Sequence, residues 1–135
     1  MAFEGAVVTN LHLKPRQGVR VKGFIAEDCK VFSINLGKDA NSFAVHCNPR
    51  FDHCGDIKKL ILNSLQDGVW GAELKKDAFP FQQGAETSVF FRYLEDNIIV
   101  CLSSGEQFTF PLRFPSEEIS YVSLVGLQLT SLSVE

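Results

Sequence analysis

The sequence contains no long apolar run, no basic cluster and no helical repeat of apolar positions, and each absence excludes a class of protein. No segment approaches the roughly 20 consecutive apolar residues of a membrane-spanning helix, so membrane insertion is not expected. The formal net charge is −3, and the longest basic runs are the pairs Lys58-Lys59 and Lys75-Lys76. These pairs are too short to follow a phosphate backbone, so nucleic acid is not an expected partner.

Signals of the secretory route are also scarce. The segment Met1-Ala2-Phe3-Glu4-Gly5 has no basic residue, and Thr9-Asn10 interrupts the apolar run that follows. No Asn-x-Ser/Thr sequon occurs. The chain has four cysteines, too few and too unevenly spaced for a small disulfide scaffold: Cys29, Cys47, Cys54 and Cys101. We therefore expect synthesis in the cytosol and free thiols.

Apolar residues fall into short runs separated by Gly, Asn, Asp and Pro, a pattern typical of strands and turns. The predicted strands are Ala6–Leu13, Val19–Phe24, Val31–Leu36, Ser42–His46 continuing toward Arg50, Lys59–Asn63, Ser88–Tyr93, Ile98–Leu102, Gln107–Phe110, Tyr121–Leu124 and Leu127–Val134. The predicted turns include Gly37-Lys38-Asp39, Asp67-Gly68, Glu95-Asp96-Asn97 and Ser103-Ser104-Gly105. This pattern predicts an all-β sandwich or jelly roll, in one domain over residues 1–135 without internal repeats.

The segment His46-Cys47-Asn48-Pro49-Arg50-Phe51 is the most informative part of the chain. Side chains of an extended strand alternate between faces, so His46, Asn48 and Arg50 are predicted to share one face. An imidazole, an amide and a guanidinium in one row can make many hydrogen bonds to a ligand. Pro49 has no backbone N–H, which predicts that this strand lies at a sheet edge or is locally bulged.

Trp70, the single tryptophan, lies in the turn-like segment Asp67-Gly68-Val69-Trp70-Gly71, where complete burial is not expected. A pyranose presents C–H groups on one face and hydroxyls around its rim, so its site needs a flat aromatic ring and converging polar groups. An axial 4-hydroxyl both donates and accepts, and the predicted row of three side chains can bind it. An equatorial epimer would leave these groups unpaired, at about 1–3 kcal/mol for each buried donor.

These residues occur within a longer pattern that resembles the galectin carbohydrate-recognition domain. The pattern comprises His46-x-Asn48-Pro49-Arg50-Phe51, Gly55-Asp56, Asn63-Ser64, Trp70-Gly71-x-Glu73 and Phe79-Pro80-Phe81. Earlier segments, Asn10-Leu-x-Leu-Lys14-Pro15 and Asn35-Leu-Gly-Lys-Asp39, extend the resemblance over essentially the whole chain. The resemblance implies a jelly-roll sandwich of two antiparallel sheets, of the homodimeric prototype class.

The resemblance also implies a role for each site residue. His46, Asn48 and Arg50 would bind galactose O4, Arg50 also the ring oxygen, and Trp70 would stack on the ring. Asn63 and Glu73 would bind the 6-hydroxyl, and Glu73 with Arg50 would hold the 3-hydroxyl of the next sugar. Asp56 would brace Arg50 and line the second sugar's subsite.

The chain departs from the family pattern at three places. Cys54 replaces a usual His and Lys75 a usual Arg, both at positions that touch the second sugar, and a lysine cannot make the two-point contact of a guanidinium. Galactose binding is expected to survive, with an altered preference for N-acetyl-lactosamine. The third departure, Phe110-Pro111-Leu112-Arg113, is expected to lie outside the sugar site.

The same residues suggest three other interpretations. The pairs His46-Cys47 and His53-Cys54 suggest zinc, but adjacent strand residues face opposite ways, so no metal is expected. Cys54 could be a reactive thiol if it is partly exposed and its pKa is lowered. Asp56 and Glu73 suggest a glycosidase, but Arg50 near both would keep them ionised, so no enzymatic activity is expected.

The sequence thus predicts a lectin, without cofactor, that binds lactose and N-acetyl-lactosamine-type glycans on glycoproteins and glycolipids. The resemblance implies a homodimer joined through Ala6–Leu13 and Leu127–Val134, cross-linking glycoconjugates, and a cytoplasmic protein exported by non-classical secretion. Leu127 and Leu129 are expected on one face of the last strand, and Leu132 and Val134 on the other. The alternative is an intracellular structural or interaction protein with a weakened sugar site.

Overall fold

A computed structural model describes residues 5–135, and these residues form two antiparallel β-sheets without any helix. The strands are β1 (Ala6–Val8), β2 (Gly18–Phe24), β3 (Ser33–Asp39), β4 (Ser42–His53), β5 (Asp56–Gln66), β6 (Val69–Trp70), β7 (Leu74–Lys76), β8 (Glu86–Tyr93), β9 (Asn97–Cys101), β10 (Gln107–Pro111), β11 (Tyr121–Val125) and β12 (Gln128–Val134). The predicted fold class, an all-β sandwich, is therefore confirmed. The described residues contain no helix that could span a membrane. Residues 1–4, which the sequence assigned to the same domain, lie outside the described residues.

The larger sheet has the strand order β1-β11-β3-β4-β5-β6, with β7 also paired to β5. The smaller sheet has the order β10-β9-β8-β2-β12. Strands β11 and β12 are separated by only two residues, Gly126 and Leu127, yet they belong to different sheets. This short connection places the edge strands β1 and β12 on the same side of the sandwich.

Apolar side chains from both sheets fill the space between them. Val19 and Val21 of β2, Val89 and Phe91 of β8 and Val100 of β9 have no exposed surface, and they pack with residues of β3, β4, β5 and β11. Burial of this kind provides the main driving force for folding, at about 25 cal/mol per Å² of apolar surface. Because successive side chains of a strand point to opposite faces, the sequence neighbours of these residues lie on the two exterior faces of the sandwich.

Several predicted elements differ from the observed ones. Strand β1 ends at Val8, because Asn10 adopts a left-handed conformation with φ of 59° that interrupts the ladder. The predicted turn at Gly37-Lys38-Asp39 is wrong, since β3 continues to Asp39 and the turn follows it. A Cβ on Gly37 would lie 2.1 Å from the carbonyl oxygen of Ser42, so glycine here permits close approach of β3 and β4 rather than a turn. Strands β6 and β7 were not predicted.

The predicted division of β12 into two apolar faces is also wrong. A bulge between Leu129 and Ser131 shifts the register, so that Leu132 pairs with Val21 and Val134 pairs with Val19. Since Val19 and Val21 face the core, Leu132 and Val134 share the core side with Leu129. Val134 nevertheless keeps 47% of its surface exposed, at the open edge of the sandwich.

Candidate functional site

The predicted row of His46, Asn48 and Arg50 lies along β4 on the outer face of the larger sheet. All three side chains line an open groove with a volume of about 520 Å³. A bulge between Phe43 and His46 turns both Ala44 and Val45 toward the core, which fixes the phase of the alternation that follows. The sequence therefore predicted correctly which face carries the row.

Pro49 lies within an interior strand, so the edge-strand alternative is wrong. Strand β4 is bulged, but between Phe43 and His46 and not at Pro49. Beyond the end of β3, Phe32 is opposite Pro49, and the backbone N–H of Phe32 donates to the carbonyl of Pro49 at 3.2 Å. Proline cannot return this bond, and the Nδ2 group of Asn48 donates to the carbonyl of Phe32 instead, at 2.8 Å. Asn48 thus replaces the missing backbone donor, and the bond fixes which way its amide points.

Arg50 is held by three acceptors. Its Nε donates to Oδ1 of Asn48 at 2.9 Å, Nη1 to Oδ2 of Asp56 at 2.7 Å, and Nη2 to Oε2 of Glu73 at 3.1 Å. Its side chain is only 11% exposed. Two of its five N–H groups remain for a ligand, and the guanidinium is already held in a fixed orientation to present them.

His46 is neutral, and its tautomer follows from its neighbours. Asn35 donates through Nδ2 to the hydroxyls of Ser33 and Ser123, so its Oδ1 faces the Nδ1 atom of His46 at 2.6 Å. This network assigns the ring proton to Nδ1 and leaves Nε2 as an acceptor. Burial, and next the positive charge of Arg50, lower the pKa of His46 from 6.5 to about 4, although a hydrogen bond with Asn48 acts in the opposite direction.

Asn63 lines the groove next to His46, which is its partner across the β4–β5 pair. Its Oδ1 accepts from the backbone N–H of Ser64 at 2.8 Å and from Nη1 of Arg113 at 3.0 Å, while Nδ2 donates to the carbonyl of Gly71 at 3.1 Å. One N–H of the amide is left for a ligand. Arg113 does not line the groove, in agreement with the expectation that its segment lies outside the sugar site, but it positions Asn63, which does.

Trp70 and Glu73 complete the groove opposite the row. The Trp70 side chain is half exposed, as predicted, and its ring centroid lies 4.6 Å from that of His46. Trp70 also makes an edge contact with Phe43 at 6.2 Å. The indole thus has a supported edge and a free surface on which an apolar ligand face can lie.

Asp56 and Lys75 lie next to Arg50 but are not among the residues that line the groove. Asp56 accepts from Nζ of Lys75 at 2.9 Å and from Arg50, and these two hydrogen bonds, Lys75 first, hold the pKa of its carboxyl below the ordinary value. Neither residue lines the groove. Asp56 braces Arg50 as predicted, whereas direct contact of Asp56 or Lys75 with a second sugar stays a prediction.

Cys54 lies in the two-residue turn between β4 and β5, where Cys54 and Gly55 have φ of 52° and 81°. This turn directs Cys54 into solvent and leaves the preceding His53 to line the groove. Sequence reasoning assigned His53 no role except in a zinc site. Among residues 5–135, no three His, Cys, Asp or Glu side chains converge as metal ligands.

The other side of the groove is formed by residues that sequence reasoning missed. Val31, Phe32 and Ser33 precede or begin β3, Val125 ends β11, and Gly71 follows Trp70. A Cβ on Gly71 would lie 2.6 Å from Nη1 of Arg113, so only glycine leaves room for the bond between Arg113 and Asn63. The Gly71 position was visible in the sequence pattern, whereas the contribution of β3 and β11 depends on sheet order.

A sequence profile of the galactoside-binding lectin family matches residues 4–134. The chain belongs to this family. Galectin-1 of Rhinella arenarum is 48% identical over 134 residues, covering 99% of this chain and all of the relative. The structure of toad ovary galectin in complex with thio-digalactose superposes with a TM-score of 0.97 at 48% identity, covering 99% and 100% of the two chains. CG-16, a homodimeric agglutinin from chicken liver, superposes at 0.93 with 38% identity, covering 98% and 100%.

Family membership agrees with the chemistry of the groove. Both carboxylates near the row, Asp56 and Glu73, bond to Arg50, and a glycosidase would need one of them protonated as a general acid. This galectin is a carbohydrate-binding lectin and not an enzyme.

Proposed function

We propose that the groove binds the galactose ring of β-galactosides such as lactose and N-acetyl-lactosamine. The observation that carries this proposal is the fixed hydrogen-bond pattern of the row on β4. Nε2 of His46 can only accept, the free N–H groups of Arg50 can only donate, and both face the half-exposed indole of Trp70 across one groove. A hydroxyl that accepts from one side and donates to the other satisfies this pattern.

The roles of the other residues follow from the same contacts. Asn48 bonds to Arg50 and to the carbonyl of Phe32, so it sets the position of the guanidinium and borders the axial hydroxyl. Asn63 offers one N–H, and Glu73 offers its carboxylate, to the 6-hydroxyl of galactose. The Glu73 carboxylate, which also accepts from Arg50, would hold the 3-hydroxyl of the next sugar. Asp56 and Lys75 then act on that second sugar through Arg50.

A titration with lactose and cellobiose tests this proposal. The two disaccharides differ in the configuration of one hydroxyl on the terminal ring, axial in lactose and equatorial in cellobiose. Lactose should change the fluorescence of Trp70, and cellobiose should bind at least about fivefold more weakly, since one unpaired buried polar group costs about 1–3 kcal/mol. No response at tens of millimolar lactose would favour the structural or interaction role, and equal affinities would refute the discrimination.

We also propose that two copies pair through the edge strands β1 and β12 and cross-link glycoconjugates. Both edges lie on the same side of the sandwich, and they carry the half-exposed Val134 and the exposed Val7. At about −0.3 kcal/mol per non-hydrogen atom, the binding free energy of one disaccharide is about −7 kcal/mol, so a single site binds weakly. A dimer with two sites would bind a surface that carries many glycans more tightly than one site alone. Sedimentation at tens of micromolar should show a dimer, and a monomer there would refute pairing.

Two further proposals rest on family membership. The sequence of 135 residues would form one carbohydrate-recognition domain over residues 1–135, and limited proteolysis should leave it uncut internally. The protein would reside in the cytoplasm and reach the outside by non-classical secretion. Its appearance in the medium should then persist when the vesicular secretory pathway is blocked, and its loss under that block would contradict this route.

A further inference from the structure

A second groove lies on the outer face of the smaller sheet, away from the site described above. Its volume is about 520 Å³, and it is lined by residues of β2, β8, β9 and β10. Arg20, Phe90, Cys101 and Gln107 form one row across these four strands, because each is paired with the next in register. The residues that flank Arg20, Phe90 and Cys101 on their own strands are buried in the core, so the row faces outward.

Phe90 organises this groove. The guanidinium of Arg20 lies 4.9 Å from the Phe90 ring centroid, and that of Arg92 lies 4.8 Å from it. A Cβ on Gly18 would lie 2.2 Å from Cζ of Phe90, so the missing side chain of Gly18 makes room for the ring. Contacts with an aromatic face hold guanidinium groups in place without using their N–H donors.

Most of these donors are available. Arg20 donates through Nε to Oε2 of Glu135 at 2.9 Å, and Arg92 donates through Nη1 to the carbonyl of Arg16 at 2.9 Å. The other N–H groups of both side chains have no partner in the part of the chain that the structure describes. The hydroxyl of Ser88, which also belongs to the groove, is buried and has no partner there either, so a ligand must reach it at the floor of the groove.

The charges in the groove favour an anion. Arg20 and Arg92 contribute two positive charges, and Glu135 is the carboxylate that bonds to one of them. Burial raises the pKa of the Cys101 thiol, so this side chain stays neutral at physiological pH and adds no opposing charge. Guanidinium groups match the oxygens of phosphate and sulfate, which can accept several N–H bonds at once.

We infer that this groove binds a small, sugar-sized molecule through a sulfate or phosphate ester, held between Arg20 and Arg92 beside the hydroxyl of Ser88. The site is separate from the galactoside groove, because the two lie on different sheets. Glu135 competes with the ester for Arg20, so an anionic ligand must displace its carboxylate or share the guanidinium with it.

Titration of the ¹⁵N-labelled protein tests this inference, with glucose 6-phosphate, glucose 6-sulfate and glucose as probes. At least one ester should shift the backbone amide signals of Ser88, Phe90 and Cys101, and the two esters distinguish a phosphate from a sulfate ligand. Glucose should leave these signals unchanged. Equal shifts with glucose, or no shift with either ester at tens of millimolar, would overturn the inference.

Three variants separate a site from a general charge effect. Arg92→Gln should weaken ester binding about tenfold or more, because it removes a charged donor. Lys58→Gln removes the same charge from an exposed position of β5, on the other sheet, and should change binding by less than about twofold. Glu135→Gln should strengthen binding about threefold, since it removes the competing carboxylate. Circular dichroism confirms that each variant is folded, and equal weakening by Arg92→Gln and Lys58→Gln would refute the site.

Discussion

The pH dependence of lactose binding should report the unusual ionisation of His46. Burial and Arg50 lower the pKa of this side chain to about 4, and Nε2 accepts from a ligand only while the ring is neutral. The apparent dissociation constant therefore increases by a factor of one plus the ratio of the protonated to the neutral His46 ring. At pH 5.5 this increase is about 3% for a pKa of about 4, whereas an ordinary pKa of 6.5 would give about elevenfold.

Trp70 fluorescence measures the lactose affinity from pH 8 down to about pH 5, and imidazole NMR signals measure the pKa directly. The chain has three histidines, so His12→Gln/His53→Gln leaves the signal of His46 alone. The affinity should stay constant across this range. A loss of affinity centred near pH 6.5, with a His46 midpoint at the same value, would refute both the burial argument and the assigned tautomer.

The same pKa predicts how stability changes with pH. The folded-state pKa of His46 lies below the unfolded value, so the unfolded chain binds more protons between about pH 4 and pH 6.5. The contribution is complete above pH 6.5 and is lost as the pH falls toward 4, and it amounts to about 3 kcal/mol in total. Urea unfolding of wild type and His46→Gln at pH 7.5 and 4.5 should show a difference that shrinks at the lower pH.

Three further predictions follow from the site. Arg50→Lys should weaken lactose binding about 100-fold, since hydrogen bonds to charged groups contribute about 1.5–3 kcal/mol each; calorimetry measures this loss, and an unchanged affinity would contradict the assigned role. Gly71→Ala should displace Arg113 and weaken lactose binding several-fold, whereas the control Ala72→Gly should leave the lactose affinity unchanged. Equal effects of the two substitutions in the same titration would refute the steric argument. Iodoacetamide should alkylate the exposed Cys54 first and spare Cys47, whose thiol is fully buried with a pKa of about 12; mass spectrometry detects the order, and early labelling of Cys47 would contradict its burial.

Local sequence was sufficient to predict the parts of the fold that depend on alternation. The row of His46, Asn48 and Arg50 follows from the two-residue period of a strand, whatever lies beside it. The partial exposure of Trp70 follows from the turn signal before it. Both features are encoded within a few residues, so no knowledge of sheet order was needed.

Features that depend on distant parts of the chain could not be predicted in this way. The contact of Arg113 with Asn63 joins residues 50 positions apart, and it exists because the segment after β10 passes beside Gly71. The bulge in β12 moves Leu132 to the core side and leaves no mark in the sequence other than a broken alternation. The position of His53 at the groove depends on the conformation of the turn that follows it, which directs Cys54 into solvent.

Pro49 has a consequence that its buried side chain does not suggest. Because it cannot donate to Phe32, the amide of Asn48 is recruited to that carbonyl, and the orientation of Arg50 depends on the amide in turn. Any other residue at this position would supply a backbone N–H and compete with Asn48 for the same oxygen. The proposed selectivity for a sugar would thus depend in part on a backbone N–H that Pro49 lacks, one layer beneath the surface that the sugar would touch.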